Sequence, residues 1–229
     1  MKKGSQSRRG KLIVIDGSDG SGKTTQWELL KKRFKKEKIP YFNVDFPIYK
    51  SFFGKFIKRY LYGEFGDPKK LNPYYSSFPY ALDRFFYKER ISKALEAGKT
   101  VLANRYVASN EIYQGAKLKN SKEKEEYLKW INKFEYGVLE SPKPDLMIYL
   151  YVPVKISKNL LERRADKNKD RKIDKHESGF AYQKEVVKNS RYLCKKHKYW
   201  KLINCVDKEK LLSKKEIHEK VWGVVEKII

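Results

Sequence analysis

With 229 residues the chain is long enough for one sizeable α/β core, and it is expected to form a single domain over residues 11–229. It carries 53 Lys and Arg against 28 Asp and Glu, a formal net charge of +25, but the cations are dispersed, as in Lys31-Lys32-Arg33 and Lys35-Lys36. That pattern reads as a solvated surface that helps gather anionic small molecules and argues against specific nucleic-acid binding. No apolar run is long enough to cross a membrane, and residues 1–10 lack a signal peptide's apolar stretch and read as a disordered basic arm. Cys194 and Cys205 have neither metal-ligand spacing nor a disulfide framework, which suits a cytoplasmic location.

The first predicted strand, Lys11–Ile15, runs into Asp16-Gly17-Ser18-Asp19-Gly20-Ser21-Gly22-Lys23-Thr24-Thr25, which fits G-x-x-x-x-G-K-[ST]. Glycines there permit positive φ and close backbone approach, so that successive N–H groups point at phosphate oxygens. Trp27, Leu30 and Phe34 follow at helical spacing, which places a helix N-terminus behind the loop. Gly17, Gly20, Ser21, Gly22, Lys23, Thr24 and Thr25 are therefore candidate nucleoside triphosphate contacts. Lys23 would reach the β and γ phosphates, and the Thr24 hydroxyl would ligate Mg²⁺.

Further strands are predicted at Tyr41–Asp45, Lys99–Ala103, Leu146–Val152 and Trp200–Asn204, alternating with helical patterns. Such alternation predicts a three-layer α/β fold, a central parallel sheet of about five strands flanked by helices, with ligands at the strands' carboxyl ends. The almost continuously apolar Leu146–Val152 reads as a strand covered on both faces. Glu162–Lys175 holds one Ile and one Ala among charges and cannot bury itself; beside a phosphate loop it is expected to act as a mobile lid over about 160–176.

Tyr80-Ala81-Leu82-Asp83-Arg84 places a ring and a guanidinium one helical turn apart, an aromatic plate beside a fork of donors. Leu102-Ala103-Asn104-Arg105-Tyr106-Val107-Ala108-Ser109-Asn110-Glu111-Ile112-Tyr113-Gln114-Gly115 is a strand ending in Arg105 and leading into a helix. Together with the phosphate loop, Asp45-Phe46-Pro47-Ile48-Tyr49 and Asp174-Lys175-His176-Glu177, these motifs resemble, in order, those of the thymidylate kinase family.

The resemblance implies a phosphate-loop kinase that transfers the γ-phosphoryl group of ATP to dTMP to give dTDP, with Mg²⁺, and that forms a homodimer. It places Asp19 on the acceptor sugar and the metal, and Phe46, Pro47 and Tyr49 along the monophosphate. Tyr80 would stack on thymine, and Arg84 would meet its carbonyl edge. Arg105 would grip the acceptor phosphate, Asn110 would bond the base edge, and Tyr113 would crowd the sugar carbon where a ribose has its 2′-hydroxyl, with Ser109 beside them. Because Gly20 rather than Arg follows Asp19, the cation for the transferring phosphoryl is expected from the lid: Arg171 first, with Arg163, Arg164 and Lys172 behind it, and Glu177 acting on Mg²⁺ or the monophosphate.

Two positions depart from the family pattern. Ile48 stands where an Arg is often found, and Asn104 replaces the Asp usual before Arg105, so that Asn104→Asp is expected to raise turnover or lower the Mg²⁺ requirement. These departures keep another nucleoside monophosphate kinase as the rival reading, and a non-catalytic nucleotide- or nucleic-acid-binding regulator as the rival from a different class. The adenine is expected near Asn204-Cys205-Val206-Asp207.

Overall fold

The computed structural model describes residues 9–167 and 179–229. The apolar run after Lys11 forms β1 (Leu12–Gly17), buried along its whole length because helices cover both its faces. In chain order follow α1 (Lys23–Lys36), β2 (Tyr41–Asp45), α2 (Phe52–Leu61), α3 (Pro73–Glu96), β3 (Thr100–Asn104) and the single turn α4 (Val107–Ser109). Next come α5 (Ser121–Asn132), β4 (Leu146–Tyr151), α6 (Val154–Lys167), α7 (Phe180–Lys196), β5 (Trp200–Asn204), the small hairpin β6 (Val206–Asp207) and β7 (Lys210–Leu211), and α8 (Lys214–Val225). Each strand predicted for the central sheet is present, with ends shifted by two residues or fewer.

The five long strands pair in parallel in the order β2-β3-β1-β4-β5. Strand alternation divides the interior into two layers. Leu12 and Val14 of β1 join Val101, Met147 and Tyr149 beneath α3, α5 and α7, where Ile91, Leu128 and Leu193 pack. Ile13 and Ile15 face the other way with Ile148 and Leu150, against Leu30 and Phe34 of α1 and Val221 and Val225 of α8. This is the three-layer α/β architecture expected.

From β1 the chain crosses to the far edge at β2, returns to β3 beside β1, and then continues on β1's other side at β4. That reversal opens a crevice at the carboxyl ends of β1 and β3, the position where ligands bind in such sheets. Asp16 ends up there from β1, and Arg105 follows immediately after β3.

Arg9 and Gly10, counted with the basic arm, are docked: the Gly10 amide donates to the Leu95 carbonyl at 2.8 Å, and Arg9 lies 3.7 Å from Asp145. Residues 1–8 lie outside the described residues. The segment expected as a lid opens as α6, whose backbone is helical to Lys167, and residues 168–176 lie outside the described residues. Cys205 is buried, Cys194 is partly buried, and both are free.

Past α4 the chain widens into a π-helical turn, Asn110–Gln114, and a second, Lys133–Val138, follows α5. Such wide turns displace side chains from the helical register. Here they bring Asn110 of the first turn against Glu135 of the second. Among the described residues no helix is long and apolar enough to cross a membrane.

Candidate active site

The phosphate loop joins β1 to α1, and its glycines have distinct reasons. Gly22 caps α1 in the left-handed conformation, φ 85°, which a side chain would strain. A Cβ on Gly17 would lie 2.6 Å from both the Leu150 carbonyl oxygen and Ser21 Oγ, so no side chain fits. The first-turn N–H groups of α1 have no intrahelical acceptors, and their dipole points to the loop. The buried hydroxyls of Ser18 and Ser21 have no hydrogen-bond partner among the described residues. Thr24 is exposed and Thr25 half-buried.

Lys23 folds back over the loop. Its Nζ donates to the carbonyls of Gly17 at 2.9 Å and Ser18 at 3.0 Å and lies 3.5 Å from Asp19 Oδ1. Burial, together with the charge of Arg105, pushes its pKa down to about 8 against the opposing pull of Asp19 and Asp16. A polyanion bound in the loop would raise it again.

Asp19 is the hub of the crevice. Its Oδ1 accepts from Arg105 Nη2 at 3.3 Å and from the Tyr113 hydroxyl at 3.3 Å, and its Oδ2 accepts from Gln183 Nε2 of α7 at 3.1 Å. Asp16, fully buried, accepts from the Gly17 amide at 2.8 Å and from the Ser109 hydroxyl, and lies 3.5 Å from Arg105 Nη1. Tyr113 also donates to the Gly17 carbonyl at 2.9 Å, and its ring lies 5.2 Å beneath the Arg105 guanidinium.

Arg105 adopts φ 62°, a conformation rare for a residue with a side chain, and its guanidinium stays 27% exposed between the two aspartates. Left-handed backbone at a non-glycine residue stores strain that recurs where side-chain placement matters. The loop is also tied to α6: Ser157 Oγ donates to the Asp19 carbonyl, and a Cβ on Gly20 would approach the Ser157 carbonyl to 3.0 Å.

A second cluster lies along α3. Phe46, followed by Pro47 across a cis peptide, is buried with its ring 6.2 Å from Tyr87 and 6.0 Å from Tyr106. Asp83 pins the segment after it, accepting from the Ile48 amide at 2.8 Å and from Ser51 Oγ at 2.6 Å, while Ser51 caps α2. Tyr49 is half-exposed, and Tyr80 is half-buried, edge-on to Tyr60.

Arg84 is 2% exposed. Its Nε donates to Glu135 Oε2 at 3.0 Å, its Nη2 to Glu135 Oε1, and its Nη1 to the Tyr106 carbonyl at 3.3 Å. Burial disfavours its charge, and Glu135 more than offsets this, holding the pKa above the usual arginine value. The guanidinium's five donors thus have three commitments within the protein.

Lys23, Asp19, Arg105, Ser109 and Tyr113 therefore share one polar cluster, Arg84 and Asn110 share another, and Tyr106 connects them. Arg171 and Glu177 lie outside the described residues. Sequence reasoning passed over Asp16, Asp83, Glu135 and Gln183, whose partners come from distant segments and leave no local signal.

Asn104 has a partner the sequence does not suggest: its Nδ2 donates to Asp45 Oδ1 at 2.8 Å across the β2–β3 pairing, and its own Oδ1 is buried without a partner among the described residues. Burial raises the Asp45 pKa, and the Asn104 hydrogen bond opposes that rise. Asn104→Asp would place a second carboxylate against the first, and such a pair titrates upward. The folded-state pKa would then exceed the unfolded one, so the cost appears as pH rises above the ordinary carboxylate range and vanishes below it. The variant is expected to melt about 5 °C lower at pH 7.5, with the deficit shrinking below about pH 5. Equal melting temperatures at both pH values would show that the two groups do not repel.

The loop's donors, the Thr24 hydroxyl and the Asp19 carboxylate, are all oxygen, as a hard divalent cation requires. Among the described residues no three His, Cys, Asp or Glu gather into a metal site. A cation there would draw on phosphate and water oxygens.

Comparison with known proteins places these features in context. A family model described as thymidylate kinase matches residues 15–217. The chain is 30% identical over 219 residues to a protein of Pyrococcus abyssi (strain GE5 / Orsay) described as "Probable thymidylate kinase", covering 95% of this chain and 96% of that one. It is 32% identical over 168 residues to the thymidylate kinase of Mycobacterium tuberculosis (strain CDC 1551 / Oshkosh), covering 72% and 77%. The solved thymidylate kinase of Candida albicans superposes with a TM-score of 0.71 at 20% identity, over 96% of this chain and 92% of that one, a likeness of fold.

Proposed function

This chain belongs to the thymidylate kinase family, and from that premise we propose that it transfers the γ-phosphoryl group of ATP to dTMP, giving ADP and dTDP. The single observation that carries the reading is the convergence of Lys23, Asp19 and Arg105 at the β1–β3 crevice, cations and a carboxylate hub at the mouth of a phosphate loop. Lys23 and the loop amides hold the donor's β and γ phosphates. Arg105, already poised between Asp16 and Asp19, takes the acceptor phosphate in a bidentate grip and offsets the repulsion between two anions.

An oxygen of the dTMP phosphate then attacks the γ phosphorus in line, and the bond to the β–γ bridging oxygen breaks, with ADP as leaving group. Mg²⁺, held through Thr24 with Asp19 nearby, would supply charge neutralisation on the donor phosphates. Phe46, Pro47 and Tyr49 wall the acceptor phosphate. Tyr80 stacks on the base, and Arg84 and Asn110 meet its polar edge. Tyr113, fixed by Gly17 and Asp19, excludes a 2′-hydroxyl. Ser109 holds Asp16 in place. Arg171 and Glu177 complete the site from the lid, and the adenine lies toward the Asn204–Asp207 stretch.

Coupled ADP release with Mg²⁺ across dTMP, dUMP, the ribonucleotide of thymine, CMP, AMP and GMP tests the reading. Turnover confined to dTMP and dUMP supports it. Preference for another monophosphate would assign a different kinase of the same fold, and ATP binding without any turnover would assign a regulator.

The same reading includes a homodimer and a cytoplasmic location. Phe52 of α2 and Tyr75 and Phe86 of α3 are largely exposed, and Phe53 and Phe86 rings lie 5.6 Å apart, so these helices offer an aromatic face to a second copy. Sedimentation is expected at twice the chain mass of 27.2 kDa, and Phe86→Glu is expected to give monomers.

A further inference from the structure

We propose that Glu135 is a positioning residue that sets the base preference of the acceptor site, by holding Arg84 and Asn110 in one hydrogen-bonding arrangement; this rests on the reading above, in which those two residues meet the base. Glu135 has no solvent exposure and comes from the second π-helical turn, far in sequence from both partners. Its Oε2 accepts from Arg84 Nε, and its Oε1 accepts from both Arg84 Nη2 and Asn110 Nδ2, the latter at 3.3 Å. One carboxylate therefore fixes a guanidinium from α3 and a carboxamide from the first π-helical turn.

The effect on Asn110 is directional. A carboxamide can turn over and exchange its donor and acceptor ends unless its neighbours forbid it. Asn110 Nδ2 also donates to the Ser77 carbonyl at 3.2 Å, so two acceptors converge on it. Turning the group over would set its oxygen against a carboxylate and a carbonyl at once. The amide nitrogen is thus committed inward, and Oδ1 is the end left to accept a proton from a ligand.

Arg84 is constrained in the same way. Glu135 and the Tyr106 carbonyl take one N–H from each of its three nitrogens, which among the described residues leaves one N–H on each terminal nitrogen for a ligand. An acceptor beside donors matches a pyrimidine that carries hydrogen on N3 and oxygen on C4, as thymine and uracil do. Cytosine presents a bare N3 and an amino group, so both contacts would become like against like. Buried polar groups left unpaired are what give such sites their power of rejection.

The test compares wild type with Glu135→Gln, measuring kcat and KM for dTMP, dCMP and ATP. The glutamine keeps the shape but can present either end to Asn110 and no longer neutralises Arg84. We expect KM for dTMP to rise about tenfold or more, the dTMP-to-dCMP ratio of kcat/KM to fall at least about tenfold, and KM for ATP to change less than about twofold. A purely structural role would depress both acceptors together and leave the ratio intact, which would overturn the inference. Should Glu135→Gln fail to fold, Glu135→Asp retains the charge but draws it back from Asn110; an unchanged ratio there is equally decisive against it. Wild type that phosphorylates no dTMP would overturn the underlying reading and this inference with it. Selective wild type with equally selective variants would overturn this inference alone.

Discussion

Lys23→Ala is expected to lower kcat/KM for phosphoryl transfer about 10³-fold while the enzyme still folds. In the proposed reaction the lysine is the cation of the loop and meets the charge that develops on the transferring group, and positioned charge of this kind accounts for most of the rate gain in phosphoryl transfer. Before ATP arrives its ammonium is occupied by the Gly17 and Ser18 carbonyls, so the folded protein has built the site around it.

That construction has a signature independent of activity. Burial holds the Lys23 pKa at about 8, below its value in an unfolded chain. Below pH 8 both states bind the proton and the penalty is fully present. As pH rises from 8 toward 10.5 only the unfolded state keeps it, so stability recovers with rising pH. Wild type should therefore gain a few kcal/mol relative to Lys23→Ala across that interval. Denaturant midpoints for both proteins at several pH values check this. Parallel curves would show that Lys23 is not desolvated, and retained turnover would remove it from the chemistry.

The second large effect is at Arg105. Arg105→Ala should lower kcat/KM about 10³-fold or more with a marked rise in KM for dTMP, because its two terminal nitrogens lie 3.5 Å from Asp16 and 3.3 Å from Asp19, a planar fork that the neighbouring Lys23 cannot replace. Arg105→Lys should recover only a small part, since a point charge cannot reproduce a planar fork. The backbone supplies an internal control. At φ 62° a glycine is unstrained and an alanine is not, so Arg105→Gly should be as inactive as Arg105→Ala yet more stable by about 1 kcal/mol. Equal stability of the two would show that the backbone relaxes once the guanidinium is gone.

Strand placement and the phosphate loop were legible because their signals are local. β1 and β4 are covered on both faces, so their apolar runs are nearly unbroken, and the loop's glycines, lysine and threonine must be contiguous to wrap a phosphate. Family resemblance added the identity of Arg84, Arg105 and Asn110 but not their company. Of the charged stretch expected as a lid, the described part continues α6 to Lys167, since charge composition does not forbid a helix.

The sequence by itself determined a parallel α/β sheet, a phosphate-binding loop between β1 and α1, and the family. Only the tertiary structure decided which side chains meet. Arg84 reaches Glu135 across 51 residues, Asn104 reaches Asp45 across 59, and Asp19 reaches Gln183 across 164. A buried charge must find a partner, but any of several carboxylates or amides could serve, and nothing along the chain distinguishes them. The choice is made when the sheet order brings β1, β3 and the two π-helical turns together.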